Sequence, residues 1–263
     1  CEFKGRLLVG VGKTLRLYEM GKKKLLRKCQ NELFPSMIVK LTTHGDRIYV
    51  GDMCESVHFA KYKRLENAIV IYADDTLPRH ISAMTLVDYH EITAADKFGN
   101  FFALSVPDNI NDDVDNPSGA RILWDQGHMN GAATQCEHIC QYYLGEAITS
   151  MSKCSLFPGK TESIVCATIS GGLYCMVPMQ ANEEIKFYQH LEMFLRQEST
   201  NLCQRDHLSY RSYFQPVKCV IDGDLCERYS NLPPAKQQEL AQDIGRTPVE
   251  ITKKLETTRT NIL

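Results

Sequence analysis

The strongest constraint on this chain is a strand pattern that returns at a fixed distance. Four segments share it: residues 6–12, 47–52, 91–96 and 163–168. Each is a short β-branched or aromatic run ending in a small or turn-prone residue. Each is followed by a second apolar run, at residues 14–18, 57–60, 101–104 and 173–177. Runs of this length bounded by Gly, Asp and Asn are strand signals. Leu7 lies 41 residues before Ile48, and Ile48 lies 44 before Ile92. The step from Ile92 to Ile164 is 72, one period plus an insertion. A period of about 40–45 residues holding four strands is that of a β-propeller blade. The spacing therefore predicts a mainly β fold, with about four blades over residues 1–180. A closed ring has more blades than that, and closure is what hides strand edges. Residues 1–180 are expected to be an open arc of a larger ring.

The insertion, residues 108–119, is acidic and rich in turn formers, which predicts an exposed loop. After Pro178 the period changes. Phe187, Leu191, Phe194 and Leu195 recur at helical spacing, with Asn182 as the cap and Glu183 and Glu184 in the first turn. A loop to about Ile221 precedes a second helix over residues 223–229, where Asp222 caps the start. Pro233 and Pro234 open a third helix that Gly245 ends. Thr247-Pro248-Val249-Glu250 is a capping box for a fourth, with Ile251, Leu255 and Ile262 on one side. Residues 181–263 are thus expected to form a small C-terminal helical domain.

Hydrophobic content of 43% and charged content of 24% place the chain among globular domains and exclude a disordered tail. It begins at Cys1, without an initiator Met, and reads as a fragment of a longer protein. No apolar run approaches the roughly 18 residues of a membrane span. The 11 cysteines are scattered, with no Cys-x-x-Cys pair, so they read as buried free thiols in a reducing compartment. The net charge of −2 conceals an asymmetry. Residues 1–70 hold 14 Lys and Arg against 7 Asp and Glu; residues 71–150 hold 3 against 12; the rest hold 13 against 13. A general nucleic-acid binder is basic throughout, whereas a divided pattern suits oriented docking onto proteins.

Several segments resemble chemistry. Cys136, His138 and Cys140 share a face if they lie on a strand, but zinc needs about four ligands and only the distant Cys203 and His207 could add to them. Strand packing accounts for them better. Asn111-Asp112-Asp113-Val114-Asp115 lacks the Gly and Glu of a calcium loop. Gly10-Val11-Gly12-Lys13-Thr14 lacks the interval of a phosphate loop and fits a hairpin. Arg205-Asp206-His207 with Ser209 suggests a hydrolase, yet there is no Gly-x-Ser-x-Gly elbow and adjacent residues seldom make a triad. A hydrogen-bond knot anchoring the tail is the better reading. Lys22-Lys23-Lys24-Leu25-Leu26-Arg27-Lys28 fits an outer strand with a solvated face, or a phosphate-contacting or nuclear-import patch. No catalytic residue, cofactor or metal is expected.

Val220-Ile221-Asp222-Gly223-Asp224-Leu225-Cys226-Glu227 resembles the C-terminal signature of the cleavage-and-polyadenylation-specificity-factor A-subunit family. Asp206-His207-Leu208-Ser209, Ala73-Asp74-Asp75-Thr76, Asp96-Lys97-Phe98-Gly99-Asn100 and Ser170-Gly171-Gly172 extend the resemblance across nearly the whole chain and favour its splicing branch. His80 departs from the family's Trp after Pro78-Arg79. The resemblance implies three seven-bladed propellers with a C-terminal helical domain, of which this chain would be the later blades of the third propeller and that domain. It implies a nuclear, non-enzymatic scaffold in the branch-site-recognising particle of the spliceosome, supporting pre-mRNA splicing through protein–protein contacts. Its partners would be the HEAT-repeat subunit and the smallest subunit of that complex. RNA contact would be indirect or weak. Direct nucleic-acid binding, as in the family's damaged-DNA-recognising relative, is the alternative. Propellers bind through loops on one rim. Asp75, Arg79, Asp96, Lys97 and Asn100, with Arg211 and Lys218 at the tail junction, are the candidate partner-binding residues, each with an intramolecular hydrogen bond as the equal alternative.

Overall fold

The computed structural model describes residues 1–115, 131–198 and 204–262. Its strands form four sheets. The first is β1 (Glu2–Phe3), β2 (Arg6–Val11), β3 (Thr14–Met20) and β4 (Leu25–Asn31), in chain order. The second holds β5 (Ile38–His44), β6 (Arg47–Asp52), β7 (Val57–Lys63) and β8 (Ala68–Asp74), also in order. To its outer edge β12 (Thr134–Gln135) adds a short parallel pairing with Ala73 and Asp74. The third holds β9 (Ile81–Leu86), β10 (Glu91–Asp96), β11 (Asn100–Ser105) and β13 (Glu137–Tyr143). The fourth holds β14 (Ile148–Cys154), β15 (Ser163–Thr168) and β16 (Leu173–Met176). Neighbours within the first three sheets are antiparallel wherever consecutive strands pair, and no sheet closes into a barrel among the described residues. This is the mainly β, partial-propeller architecture that the period predicts.

The repeat is visible in the packing. Leu8, Leu15 and Leu17 of the first sheet form one core with Ile48, Val50 and Ala60 of the second. Tyr49, Val57 and Phe59 of the second form another with Ile92, Ala94 and Phe102 of the third. Side chains alternate across a strand, so Ile48 and Tyr49 serve different cores. The alternation gives Leu7 the place in β2 that Ile48 and Ile92 hold in β6 and β10. Ile48 and Ile92 are wholly buried, whereas Leu7 is 40% exposed, because no described sheet packs on that face of the first sheet. The Gly12 segment is the β2–β3 hairpin turn, with φ of 59°, and Val11 pairs with Thr14 across it.

One expectation fails at the insertion. Ile110–Asp115 is a helix, α1, and not an exposed loop. Ile110 and Val114 are both buried in the core between the second and third sheets. They stand four apart, so one helical turn places both on the same face, and burial of that pair outweighs the turn propensity of the Asn and Asp around them. Residues 116–119 of the expected loop lie outside the described residues.

The helices are α2 (Asn182–Glu198), α3 (His207–Tyr210), α4 (Gly223–Glu227), a 3-10 turn (Arg228–Asn231), α5 (Pro234–Ile244) and α6 (Pro248–Ile262). The short α3 falls where a loop was expected. Pro234 opens α5, and Gly245 closes it at φ 73° with its N–H on the Ala241 and Gln242 carbonyls. The capping box is formed: Thr247 N–H donates to Glu250 at 2.8 Å, and Glu250 N–H donates back to the Thr247 hydroxyl at 3.3 Å. Phe187, Leu191, Leu195, Leu225, Tyr229, Leu240, Ile251 and Leu255 share one core. No described helix is long and apolar enough to cross a membrane.

The chain divides into two compact units. The first is Cys1–Cys140, Leu144–Met151 and Ala167–Gly171; the second is Gln141–Tyr143, Ser152–Cys166 and Gly172–Leu263.

Gly99 carries the sharpest local test of the blade geometry. Its φ is 96°, and a Cβ there would lie 2.8 Å from the Glu146 carbonyl oxygen. Gly99→Ala combines a left-handed backbone with a clash against main chain. It is expected to cost about 2–4 kcal/mol, read as lost amide protection in residues 96–100 by hydrogen exchange.

Candidate functional site

In the second unit, the polar residues of the tail converge on one carboxylate. Asp222 is 4% exposed and caps α4, accepting from Leu225 N–H at 3.2 Å through Oδ1. Its Oδ2 accepts from the Tyr142 hydroxyl at 2.8 Å, His207 Nε2 at 2.9 Å and Arg211 Nε at 2.9 Å. Its own N–H donates to Glu192 Oε1 at 3.2 Å. Tyr142 comes from β13, Glu192 from α2, His207 from α3 and Arg211 from the residue that ends α3. The Arg211 guanidinium also lies over the Tyr142 and Tyr210 rings, at 5.3 and 5.4 Å.

The electrostatics follow from this arrangement. Burial alone would raise the Asp222 pKa, but the Arg211 charge, the Tyr142 hydroxyl, the Leu225 amide and His207 outweigh it and hold it below the ordinary value. Burial raises Glu192, and the neighbouring Asp222 charge adds to that effect. Burial and the Asp222 charge push the Tyr142 phenol far up, so it stays a donor. The two carboxyls therefore contribute with opposite signs. Asp222, depressed, stabilises the fold above the ordinary carboxylate range and loses that contribution as pH falls through its folded pKa. Glu192, raised, favours folding when protonated and costs stability as pH rises through its folded pKa. Glu192→Gln keeps the acceptor for the Asp222 amide and removes the charge. At neutral pH it is expected to leave the stability of α2 and α4 unchanged or raise it by up to about 1 kcal/mol, measured by hydrogen exchange.

A hydrogen-bond knot is present, but of Arg205, Asp206, His207 and Ser209, from which one is expected, it is His207 that reaches Asp222, while Asp206 lies against Arg196. The hydrolase reading finds no geometry. His207 is buried and spends Nε2 on Asp222, while Ser209 is exposed, and residues two apart on a helix do not face each other.

The expected partner-binding residues fall into separate groups. Asp75 and Arg79 meet in the first unit, Oδ2 to Nε 3.6 Å, both side chains without exposure. Asp75 also accepts from the Ser56 hydroxyl at 2.5 Å, and its Oδ1 lies 2.8 Å from His138 Nε2. Burial raises the Asp75 pKa, but the His138 and Ser56 hydrogen bonds overcome that and leave it lowered. The Arg79 guanidinium lies 4.0 Å above the Phe102 ring. Asp96 and Asn100 form a second group, both wholly buried. Asp96 accepts from the Phe98 amide at 2.9 Å, the Asn100 amide at 3.0 Å and the Asn100 side chain at 2.7 Å. Asp52, 44 residues earlier, does the same work, accepting from the Cys54, Glu55 and Ser36 amides. Lys97 is exposed at the tip of that turn; its N–H donates to the His80 carbonyl, and the His80 ring stands edge-on to Phe98. Arg211 belongs to the Asp222 knot. Lys218 is exposed, and its backbone exchanges both hydrogen bonds with Gln141.

Cys136 is buried in a sheet core and His138 is taken up by Asp75, so they do not converge with Cys140; Cys203 lies outside the described residues. No cluster of metal-holding side chains occurs among the described residues. Two members of the knot were missed in the sequence. Glu192 had a signal: it sits between Leu191 and Leu195 on the apolar stripe of α2, where a carboxylate needs a partner. Tyr142 had none, because its partner is 80 residues away.

A strand repeat of blade length and a helical tail carrying the capped Ile221-Asp222-Gly223-Asp224 turn describe a partial propeller-like β fold. The chain belongs to the CPSF A subunit family: the CPSF A subunit region matches residues 1–231. It is similar to splicing factor 3B subunit 3 of Drosophila melanogaster, 50% identical over 261 residues, covering 99% of this chain and 21% of that protein. The splicing factor 3B subunit 3 of Danio rerio is 49% identical over 259 residues, covering 98% and 21%. The spliceosome-associated protein 130 A of Arabidopsis thaliana is 46% identical over 264 residues, covering 100% and 22%. The chain spans about a fifth of the length of these relatives.

Proposed function

We propose that this chain is the later blades of a propeller and the helical domain of a non-enzymatic scaffold subunit of a spliceosomal complex. It acts in the nucleus and supports pre-mRNA splicing through protein–protein contacts. Residues 1–180 are the propeller part and 181–263 the helical domain, and further blades of the same ring cover the Leu7 face. The observation that carries the scaffold reading is the Asp222 knot: the groups that resemble catalytic machinery are consumed in holding the tail together. The names of its relatives support the splicing assignment. The partners are the HEAT-repeat subunit and the smallest subunit of the splicing factor 3b complex. Lys97 and Lys218 meet them directly, while Asp75, Arg79, Asp96, Asn100 and Arg211 set the shape of the loops that do. The full-length protein, tagged and recovered from nuclear extract, is expected to bring down these subunits in near-equal amounts. Recovery without any splicing component overturns the proposal.

A second reading, direct nucleic-acid binding, is favoured by one feature. Lys22, Lys23 and Lys24 are all exposed at the β3–β4 hairpin tip, beside exposed Arg27 and Lys28. Titrating the purified full-length protein with RNA over a salt series separates the readings. Tight binding without partner proteins, falling steeply with salt, supports this second reading.

A further inference from the structure

In the second and third sheets the outermost strand takes an extra pairing on its free side. β12 adds a parallel pairing to β8 at Ala73 and Asp74, and Lys218 exchanges backbone hydrogen bonds of 3.0 and 2.9 Å with Gln141 of β13. The outermost strand of the first sheet, β4, has no such addition among the described residues. Its second half is fixed to the second sheet. The Asn67 side chain donates to the Lys28 carbonyl at 2.8 Å, and the Asn31 side chain donates to the Ile69 carbonyl at 2.7 Å. Its first half is open. The first four residues of β4 are exposed, whereas β8, its counterpart one period later, has no exposed residue. Leu26 is 46% exposed although it lies on the face that meets the second sheet. It stands opposite Glu19, whose ion-pair partner Arg6 has its guanidinium over the Tyr62 ring.

An open strand edge is a template for a further strand. The charge beside this one selects the kind. Residues 20–31 hold Lys22, Lys23, Lys24, Arg27 and Lys28 and no Asp or Glu. Lys28 is taken up by Glu19 at 2.6 Å, and Arg27 reaches a neutral acceptor, the Gln30 side chain, at 2.8 Å. Lys22, Lys23 and Lys24 are exposed at the hairpin tip, where Gly21 N–H closes on the Lys24 carbonyl at 3.0 Å. None of these three side chains is in an ion pair or hydrogen bond among the described residues.

We propose that the outer edge of β4 at residues 25–27 accepts an extended, acidic segment of a partner protein. The segment pairs as a fifth strand of the first sheet, sets an apolar side chain against Leu26 and places Asp or Glu beside Lys22, Lys23 and Lys24. Backbone pairing gives a strand addition its hold, and the side chains give it its choice of partner. A second copy of this chain is the wrong occupant, because lysines on one edge repel the same lysines on another. Single-stranded nucleic acid would use the lysines but leave Leu26 bare, and residues 20–31 contain no aromatic ring on which a base could stack.

The proposal rests on the scaffold reading only in requiring a protein partner. Its test uses the full-length protein with a photoreactive phenylalanine derivative in place of Leu26, recovered from nuclear extract with its complex. The cross-linked peptide is then mapped. Hydrogen exchange compares the amides of residues 25–27 in the wild-type complex and in the isolated full-length protein. The expected cross-link reaches a segment of another protein that mixes apolar residues with Asp or Glu, and the β4 amides gain protection in the complex. The triple substitution Lys22→Glu, Lys23→Glu and Lys24→Glu should unfold thermally as wild type does and recover that protein about tenfold less, whereas the same three changes to Arg should retain it. A nuclease-sensitive cross-link to RNA, cross-links confined to this chain, unchanged protection of residues 25–27, or equal recovery by the Glu variant overturns the proposal. The two readings fail separately. A cross-link to such a segment in a complex without splicing components defeats the splicing assignment and supports the strand addition. A complex complete in both wild type and Glu variant, with no cross-link, defeats the strand addition alone.

Discussion

Asp222→Ala is expected to unlock the tail. Removing this carboxylate takes the cap from α4 and leaves the Arg211 cation and the Tyr142 hydroxyl without their acceptor in a mostly buried site. Breaking a buried ion pair from one side costs about 3–5 kcal/mol, because the remaining charge is stranded. The loss should appear by hydrogen exchange in the full-length protein, as reduced protection of the Leu225 and Cys226 amides and of α2. Asp222→Asn keeps the shape and the cap acceptor, so its cost should be smaller, about 1.5–3 kcal/mol. Equal protection in Asp222→Ala and wild type would mean that the knot holds nothing.

Asp96→Ala is expected to do comparable damage inside a blade. Three donors point at this wholly buried side chain, two of them backbone amides of the turn between β10 and β11. Hydrogen bonds to a charged acceptor are worth about 1.5–3 kcal/mol each, and bonds sharing one carboxylate do not add fully, so about 3–5 kcal/mol is expected. Asp52→Ala should match it, because Asp52 gathers three amides at the equivalent place one period earlier. The check is loss of protection at Phe98 and Asn100, and at Cys54 and Glu55. A cost below about 1 kcal/mol at both sites would show that the turns are held by their strands alone.

What the sequence made legible was local or periodic. The capping box at Thr247 and Glu250 and the Gly245 stop act over a few residues, so composition alone reveals them. The 44-residue step from Ile48 to Ile92 survives as matching burial in β6 and β10. What stayed hidden depends on distant partners. The pairing of β12 with β8 joins residues about 60 apart and covers two residues, too few for an alternation to register. Helix α1 carries one apolar pair among Asn and Asp, so its local propensity argues against it and only the sheet core selects it. Helix α3 is a single turn and has no period at all. The site was legible as a cluster around His207, but its centre was not. Asp222 reads in the sequence as a helix cap, and only the fold adds the Tyr142 hydroxyl and the Arg211 guanidinium to it.

The proposed scaffold role requires that the polar groups of the tail hold structure and perform no chemistry. It is tested most directly by add-back to a nuclear extract depleted of the full-length protein. His207→Gln, which retains a donor for Asp222, and Ser209→Ala, at an exposed position, are each compared with wild type. Both are expected to restore splicing to the wild-type level. A variant that is folded and fully assembled with its partners, yet fails to restore splicing, would contradict the account.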